Sequence, residues 1–246
     1  MLILLYFLFV LCPIIFWFSF FYWEDRADPG PKKLMAFIFL LGIGMAILAG
    51  AFNSLISYYL LPDHTKGLMD FIKHPVPMFF VVLAIGSVLE ESLKYLTLRE
   101  FFYDRVQFNQ IADGIFYGVT LALGFSLVEN TSYFFMIHQS MPYVKFLIDI
   151  AGRAVFSVTL HITTAGILGF YLGKRKYSLQ HSRKYLFLSL AIAYSLHLSF
   201  NLLSIVGFIA VIPALTFLIV QLKNPDVLAV WRLVEVDAGG HVIRVD

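Results

Sequence analysis

The chain has 246 residues, of which 60% are hydrophobic and 14% charged, with a formal net charge of +2. A soluble globular domain carries roughly 45–50% apolar and ~25% charged residues, and a disordered chain combines low hydrophobicity with high net charge, so both classes are excluded. The net charge is too small to suggest a nucleic-acid partner, and at about 20 residues per span the apolar content supplies about seven transmembrane helices in a lipid bilayer.

The first apolar segment covers residues 2–22. No Lys or Arg precedes Arg26, so the basic start of a secretory signal peptide is missing and the segment reads as a retained helix. Cys12 is the single cysteine and has no partner for an internal disulfide; on an apolar helix it is assigned no role. Asp28-Pro29-Gly30-Pro31 then breaks the chain. The second segment, 34–60, is closed by Pro62-Asp63-His64, and the third, 77–98, opens at Pro75 and Pro77. Three more follow at 112–137, 150–172 and 184–204. The last, 207–222, is divided from the sixth near Gly207, because the combined run overshoots a bilayer. The expectation is an all-α polytopic membrane protein of about seven helices, with six to eight as the range. Its domains would be a transmembrane domain, 1–222, and a tail, 223–246.

In the tail, Trp231–Val236 and His241–Val245 flank Asp237-Ala238-Gly239-Gly240. That pattern predicts a small β-hairpin.

Lys and Arg in short loops set orientation. Loops 23–33, 99–111 and 173–183, with their flanks and the tail, hold thirteen of them, against Lys66, Lys73 and Lys145 on the other side. Seven spans then put the N-terminus outside and the C-terminus in the cytoplasm. A count of six or eight would move the tail but not the loops.

A charged side chain near the bilayer centre costs about 2.5–3.5 kcal/mol on insertion scales and usually faces a protein interior with a job to do. The third helix holds Glu90, Glu91 and Lys94, the fourth Asp113, Glu129 and Asn130, the fifth Arg153 and His161, and the sixth His197 and Asn201. Lys94 can reach Glu90 at i, i+4 or Glu91 at i, i+3. One ion pair leaves a second carboxylate surplus, which suits acid–base work. Glu129 needs a cation or a proton as partner; Asn130 can serve as interhelical glue. His197 and Asn201 share a helix face. With a rise of 1.5 Å per residue, Glu90 lies roughly 20 Å, His161 roughly 16 Å, and Glu129 and His197 about 12 Å from the outer ends of their spans. All four fall between the midplane and the outer leaflet, which marks them as one site.

Such groups permit three chemistries. They can hold a divalent metal that activates water. They can activate water directly through a Glu base, with His or Asn stabilising the oxyanion. They can relay protons or bind ions in a transporter. His-Glu-x-x-His and Gly-x-Ser-x-Gly are both absent.

Glu-Glu-x-x-Lys at 90–94, Phe-x-x-x-Glu-Asn at 125–130, the mid-membrane His161 and His-x-x-x-Asn at 197–201 resemble the motifs of the PrsW family of bacterial intramembrane proteases. The stretch 22–32, acidic and proline-containing, resembles the loop after that family's first helix. The matches run from about residue 20 to 205 and leave the tail uncovered. The family is similar to a wider superfamily that includes the CAAX prenyl endopeptidases and bacteriocin-processing relatives.

The resemblance implies a multi-pass site-1 protease of the bacterial cytoplasmic membrane. Its substrate would be a single-span anti-sigma factor, cut near the extracytoplasmic side to start a stress response. Carried over by position, Glu90 and Glu91 would be the catalytic carboxylate pair, and one of them would activate water. Glu129 stands where the CAAX enzymes have histidine. His161 and His197 would be ligands or transition-state stabilisers, and Asn201 would match the oxyanion-type asparagine. Glu129, His161 and His197 would be the ligands of a zinc ion, if one is used; Lys94 and Asn130 would support the site. The same buried groups would serve a proton- or ion-coupled transporter, although no inverted repeat is evident. A scaffold that binds a partner helix is a third reading, carried by Gly114-x-x-x-Gly118 and Gly169-x-x-x-Gly173. Those glycines would equally pack the chain's own bundle.

Overall fold

The computed structural model describes residues 1–24, 30–60, 76–177, 182–203, 205–229, 233–236 and 242–244. Parts of three expected breaks lie outside these residues: 25–29 after the first helix, the Pro62-Asp63-His64 stretch, and the turn at 237–240. Among the described residues, six long helices follow one another: α1 (Leu2–Glu24), α2 (Lys32–Leu60), α3 (Val76–Phe102), α4 (Ile111–Ser140), α5 (Tyr143–Tyr177) and α6 (Ser182–Leu203). Three short ones close the bundle: α7 (Ile205–Phe208), α8 (Val211–Gln221) and α9 (Pro225–Leu228). Beyond them, β1 (Leu233–Val236) pairs antiparallel with β2 (Val242–Arg244).

The chain is a multi-pass membrane protein. Five helices (α1, α2, α4, α5 and α6) are long and apolar enough to cross a membrane. α3, with 27 residues, has the length as well, about 40 Å. The seventh expected segment is different. It divides into α7 and α8, and the 11 residues of α8 rise only about 16 Å, roughly half a bilayer core. A count of seven spans therefore does not follow from the helices. The division comes at the turn of Ile209 and Ala210, and within α7 a Cβ on Gly207 would lie 2.0 Å from the carbonyl oxygen of Ser199. Only glycine lets α7 double back so closely on α6.

α4 and α5 form the centre. α4 is buried continuously from Ile111 to Ser126, and α5 from Val158 to Phe170. Small residues bring their backbones together: a Cβ on Gly169 would stand 1.7 Å from the carbonyl oxygen of Gly114, and one on Gly118 would stand 2.1 Å from that of Ala165. Both glycine motifs are thus spent on packing the chain against itself. α2 meets the other side of α4 in the same way, through Gly42 against Leu121 and Gly124 against Phe39. The outer helices show apolar faces, with Ile3, Leu40, Phe52 and Phe187 among many exposed side chains, as expected for surfaces that meet lipid.

The ends of the central pair are fixed by polar contacts. Asp113 is a cap, not a site residue: its Oδ2 accepts from the backbone N–H groups of Asn109 (2.8 Å) and Gln110 (2.7 Å) at the start of α4. Lys176, at the end of α5, donates to the carbonyls of Arg105 (3.1 Å) and Phe108 (2.7 Å), tying down the α3–α4 loop. α5 extends seven residues further toward its N-terminus than the apolar pattern suggested, and it contains a π-helical stretch at Arg153–Ser157. π-turns within α-helices cluster at functional sites because they re-aim side chains. The start of the tail is packed on the bundle, since Val227 of α9 belongs to the same core as Ile115 and Phe170.

Candidate active site

Five helices bring polar groups to one point. On α3, Glu91 and Lys94 are three residues apart, so they share a helix face, and Lys94 Nζ donates to Glu91 Oε1 at 2.8 Å. Both side chains have zero exposure. Lys94 also donates to His161 Nδ1 on α5, at 2.8 Å, and its charge lies 4.6 Å from the Phe125 ring centroid. An ammonium group only donates. His161 Nδ1 must therefore accept, which puts the ring proton on Nε2, where it meets Glu129 Oε2 of α4 at 2.6 Å.

Glu129 is held from a second side. Arg153, in the π-helical stretch of α5, reaches its Oε1 at 3.0 Å, donates to Asn130 Oδ1 at 3.2 Å, and stacks over Tyr133 at 3.6 Å. On α6, His197 Nδ1 lies 2.7 Å from Glu91 Oε1. The carboxylate can only accept, so Nδ1 carries the proton and Nε2 presents its lone pair. That lone pair faces Glu90 Oε2 at 3.8 Å, an oxygen with no hydrogen-bond partner among the described residues. Asn201, one turn after His197, donates to Ser87 Oγ of α3 at 2.9 Å. Asn53 of α2 donates to Glu90 Oε1 at 2.9 Å.

Every expected site residue therefore lies in one network or beside it. Glu90, Glu129, His161, His197 and Asn201 line a cavity of about 220 Å³. Glu91, Lys94 and Asn130 are buried behind it. One difference concerns possible ligands. Glu90, His161 and His197 each offer one ligand atom within 4.8 Å of one another, so Glu90, rather than Glu129, completes the compact set. Both Glu129 oxygens are already engaged by Arg153 and His161. The sequence reading overlooked Asn53 and Ser87 and gave Arg153 no role. Arg153 had shown itself as a charge inside an apolar helix, and Asn53 as a polar residue within the largely apolar α2.

The charges do not balance. Fully ionised, Glu90, Glu91 and Glu129 would set three negative charges against the two positive charges of Lys94 and Arg153. With neutral imidazoles one negative charge remains in excess in a low-dielectric interior, where an unpaired charge is costly. A proton or a bound cation fits there.

The sequence profile described as PrsW family intramembrane metalloprotease matches residues 30–222. The chain belongs to this family. Among curated relatives, it is 31% identical over 192 residues to Protease PrsW of Bacillus subtilis (strain 168), covering 78% of each chain. It is 26% identical to Protease PrsW of Shouchella clausii (strain KSM-K16), covering 91% of this chain and 93% of that one. To Protease PrsW of Geobacillus kaustophilus (strain HTA426) it is 28% identical, covering 73% of this chain and 70% of the other. No solved structure matches the chain. Membership of the PrsW family makes this a membrane peptidase of a metalloprotease family, with a His/Glu cluster able to serve as its metal site. It does not favour the ion-coupled transporter reading of the same groups.

Proposed function

We propose that this PrsW-family protease hydrolyses a peptide bond of a single-span membrane protein within the bilayer, at the cavity lined by Glu90 and His197. The observation that carries this reading is the pair formed by His197 Nε2 and Glu90 Oε2. Two acceptors face each other 3.8 Å apart, and a cation or the proton of a bound water belongs between them.

The donor set fits a zinc ion. Glu90 and His197 present free lone pairs, and His197 is backed through Nδ1 by Glu91, the carboxylate–histidine arrangement that orients ligating imidazoles. His161 would join by exchanging one of its two hydrogen bonds. A metal held by Glu90, His161 and His197 would lower the pKa of a water to about 7 and polarise a carbonyl. The chain's own residues do the rest. Where a water rather than a metal lies between Glu90 and His197, Glu90 Oε2 takes a proton from that water as the water oxygen bonds to the peptide carbonyl carbon. The same carboxylate returns that proton to the nitrogen as the C–N bond breaks, leaving a carboxylate and an amine. Asn201 keeps a second amide N–H for the developing oxyanion, after the first is taken by Ser87. Glu129 and Arg153 hold His161 in place from behind.

Loops 23–33, 99–111 and 173–183 are assigned to the cytoplasm by their Lys and Arg content. With 207–222 counted as a seventh span, the N-terminus is outside and the tail, 223–246, is cytoplasmic. The family resemblance then suggests a cut near the extracytoplasmic side, with an anti-sigma factor as substrate and a role in a stress response.

The test is cleavage of a single-span anti-sigma factor by purified protein in detergent or liposomes. Cleavage should disappear in Glu90→Ala, Glu91→Ala and His197→Ala. Undiminished cleavage by all three variants would remove the chemistry from this site.

A further inference from the structure

We infer that Asn53 is a positioning residue of the site, holding Glu90 so that Oε2 faces the cavity; the inference rests on the hydrolytic role of Glu90 proposed above. Asn53 lies on α2, a helix that contributes none of the other groups in the network. Its Nδ2 donates to Glu90 Oε1 at 2.9 Å. Among the described residues, this is the hydrogen bond that fixes Glu90. Glu91 is clamped by Lys94 and His197, and Glu129 by Arg153 and His161, but among the described residues Glu90 has one hydrogen-bond partner, Asn53. A glutamate has three side-chain torsions. Without a donor on Oε1, no hydrogen bond among the described residues keeps Oε2 opposite His197.

Three further observations agree. The amide orientation follows from chemistry, because a carboxylate accepts only and so the NH₂ group must face it. Asn53 Oδ1 is buried without a hydrogen-bond partner among the described residues, an expense that a merely space-filling residue would not incur. Gly86, one turn before Glu90 on α3, makes room for it: a Cβ there would stand 3.2 Å from Asn53 Oδ1. Asn53 and Glu90 also sit together where two cavities of about 220 and 260 Å³ share their lining. The carboxamide is thus at the junction that a substrate segment has to reach.

The experiment uses the full-length protein with a single-span anti-sigma factor as substrate, and compares Asn53→Leu and Asn53→Asp with wild type. Both variants keep the number of side-chain heavy atoms, and both replace the amide donor. Asn53→Leu fills the space with an apolar group; Asn53→Asp sets acceptor against acceptor. We expect kcat to fall at least about tenfold in both, with KM within about twofold, while both variants are recovered folded. A packing role predicts instead a loss of folded yield with kcat per folded molecule unchanged. A kcat for Asn53→Leu within about twofold of wild type would overturn the assignment while leaving the protease reading intact. Absence of cleavage by folded wild-type protein would instead overturn the substrate reading, and this inference with it. Gly86→Ala gives an independent approach from α3: it should displace Asn53 and lower kcat in the same direction.

Discussion

Lys94 and His161 are joined across the bundle by a 2.8 Å hydrogen bond between Nζ and Nδ1, and both are buried. The contact fixes the ring proton of His161 on Nε2, facing Glu129. Lys94 thereby links the Glu91–His197 half of the network to the His161–Glu129 half. Replacing Lys94 by Met should leave Glu91 buried with one partner fewer and free the tautomer of His161. Breaking a buried pair from one side costs roughly 3–5 kcal/mol. Lys94→Met should therefore lower the thermal unfolding temperature as well as abolish cleavage. Lys94→Arg should fail to restore activity, because the guanidinium fork does not fit a fully buried site shaped for one ammonium. Unfolding curves and cleavage assays on the two variants check both points.

Metal dependence follows from the acceptor pair at Glu90 and His197. Prolonged dialysis against a chelator should inactivate the enzyme, and zinc should restore it. Metal analysis of purified protein should give about one zinc per chain in wild type and much less in His197→Ala or Glu90→Ala, in line with the 10- to 100-fold or greater affinity losses caused by disturbing a metal site. Full activity in demonstrably metal-free protein would favour direct activation of water by Glu90.

Arg153 and Glu129 supply a coupled pair. Arg153→Met should uncover the Glu129 charge and reduce stability strongly, whereas the double variant Arg153→Met with Glu129→Gln removes both charges together. A double-mutant cycle on unfolding free energy should return a coupling of about 1–3 kcal/mol. A value near zero would mean that the 3.0 Å contact carries no energetic weight.

The glycines between α4 and α5 predict steric failure. Gly169→Leu would drive a side chain into the Gly114 backbone, where even a Cβ stands 1.7 Å from the carbonyl oxygen. Folded yield after extraction should collapse. Gly44→Leu, at a position whose Cβ meets nothing within 4 Å, should express and cleave like wild type. Size-exclusion profiles of the two variants make the comparison.

The helices and the site residues were legible in the sequence for a single physical reason. Lipid penalises charge, so Glu90, Glu91, Lys94, Glu129 and Arg153 stood out against an apolar background, and a constant rise per residue placed most of the groups at similar depth. What stayed hidden depended on three-dimensional partners. Lys94 could reach either glutamate, and only the position of His161 and His197 relative to α3 makes Glu91 its partner. Glu129 was expected among the ligands and Glu90 as a catalytic carboxylate, and that Arg153 and His161 occupy both Glu129 oxygens shows only in three dimensions. Asn53 went unread because an uncharged amide in a helix with no other site residue gives a weak signal, and its meaning lies in Glu90, 37 residues away. The last apolar segment was legible only in part: composition gives its hydrophobicity but not the turn at Ile209–Ala210 that divides it.

The backbone contact between α4 and α5 divides the site into two mechanical parts. Glycine and alanine leave no side-chain layer between these helices, so they cannot slide without carbonyl striking carbon. Glu129, Arg153 and His161 ride on that pair and act as a fixed anvil. α2, which brings Asn53, belongs to the same locked group, because it meets α4 through Gly42 and Gly124. Glu90, Glu91 and His197 arrive on α3 and α6. Glu90 and Glu91 thus stand on a helix that no glycine contact of this kind ties to the central pair among the described residues.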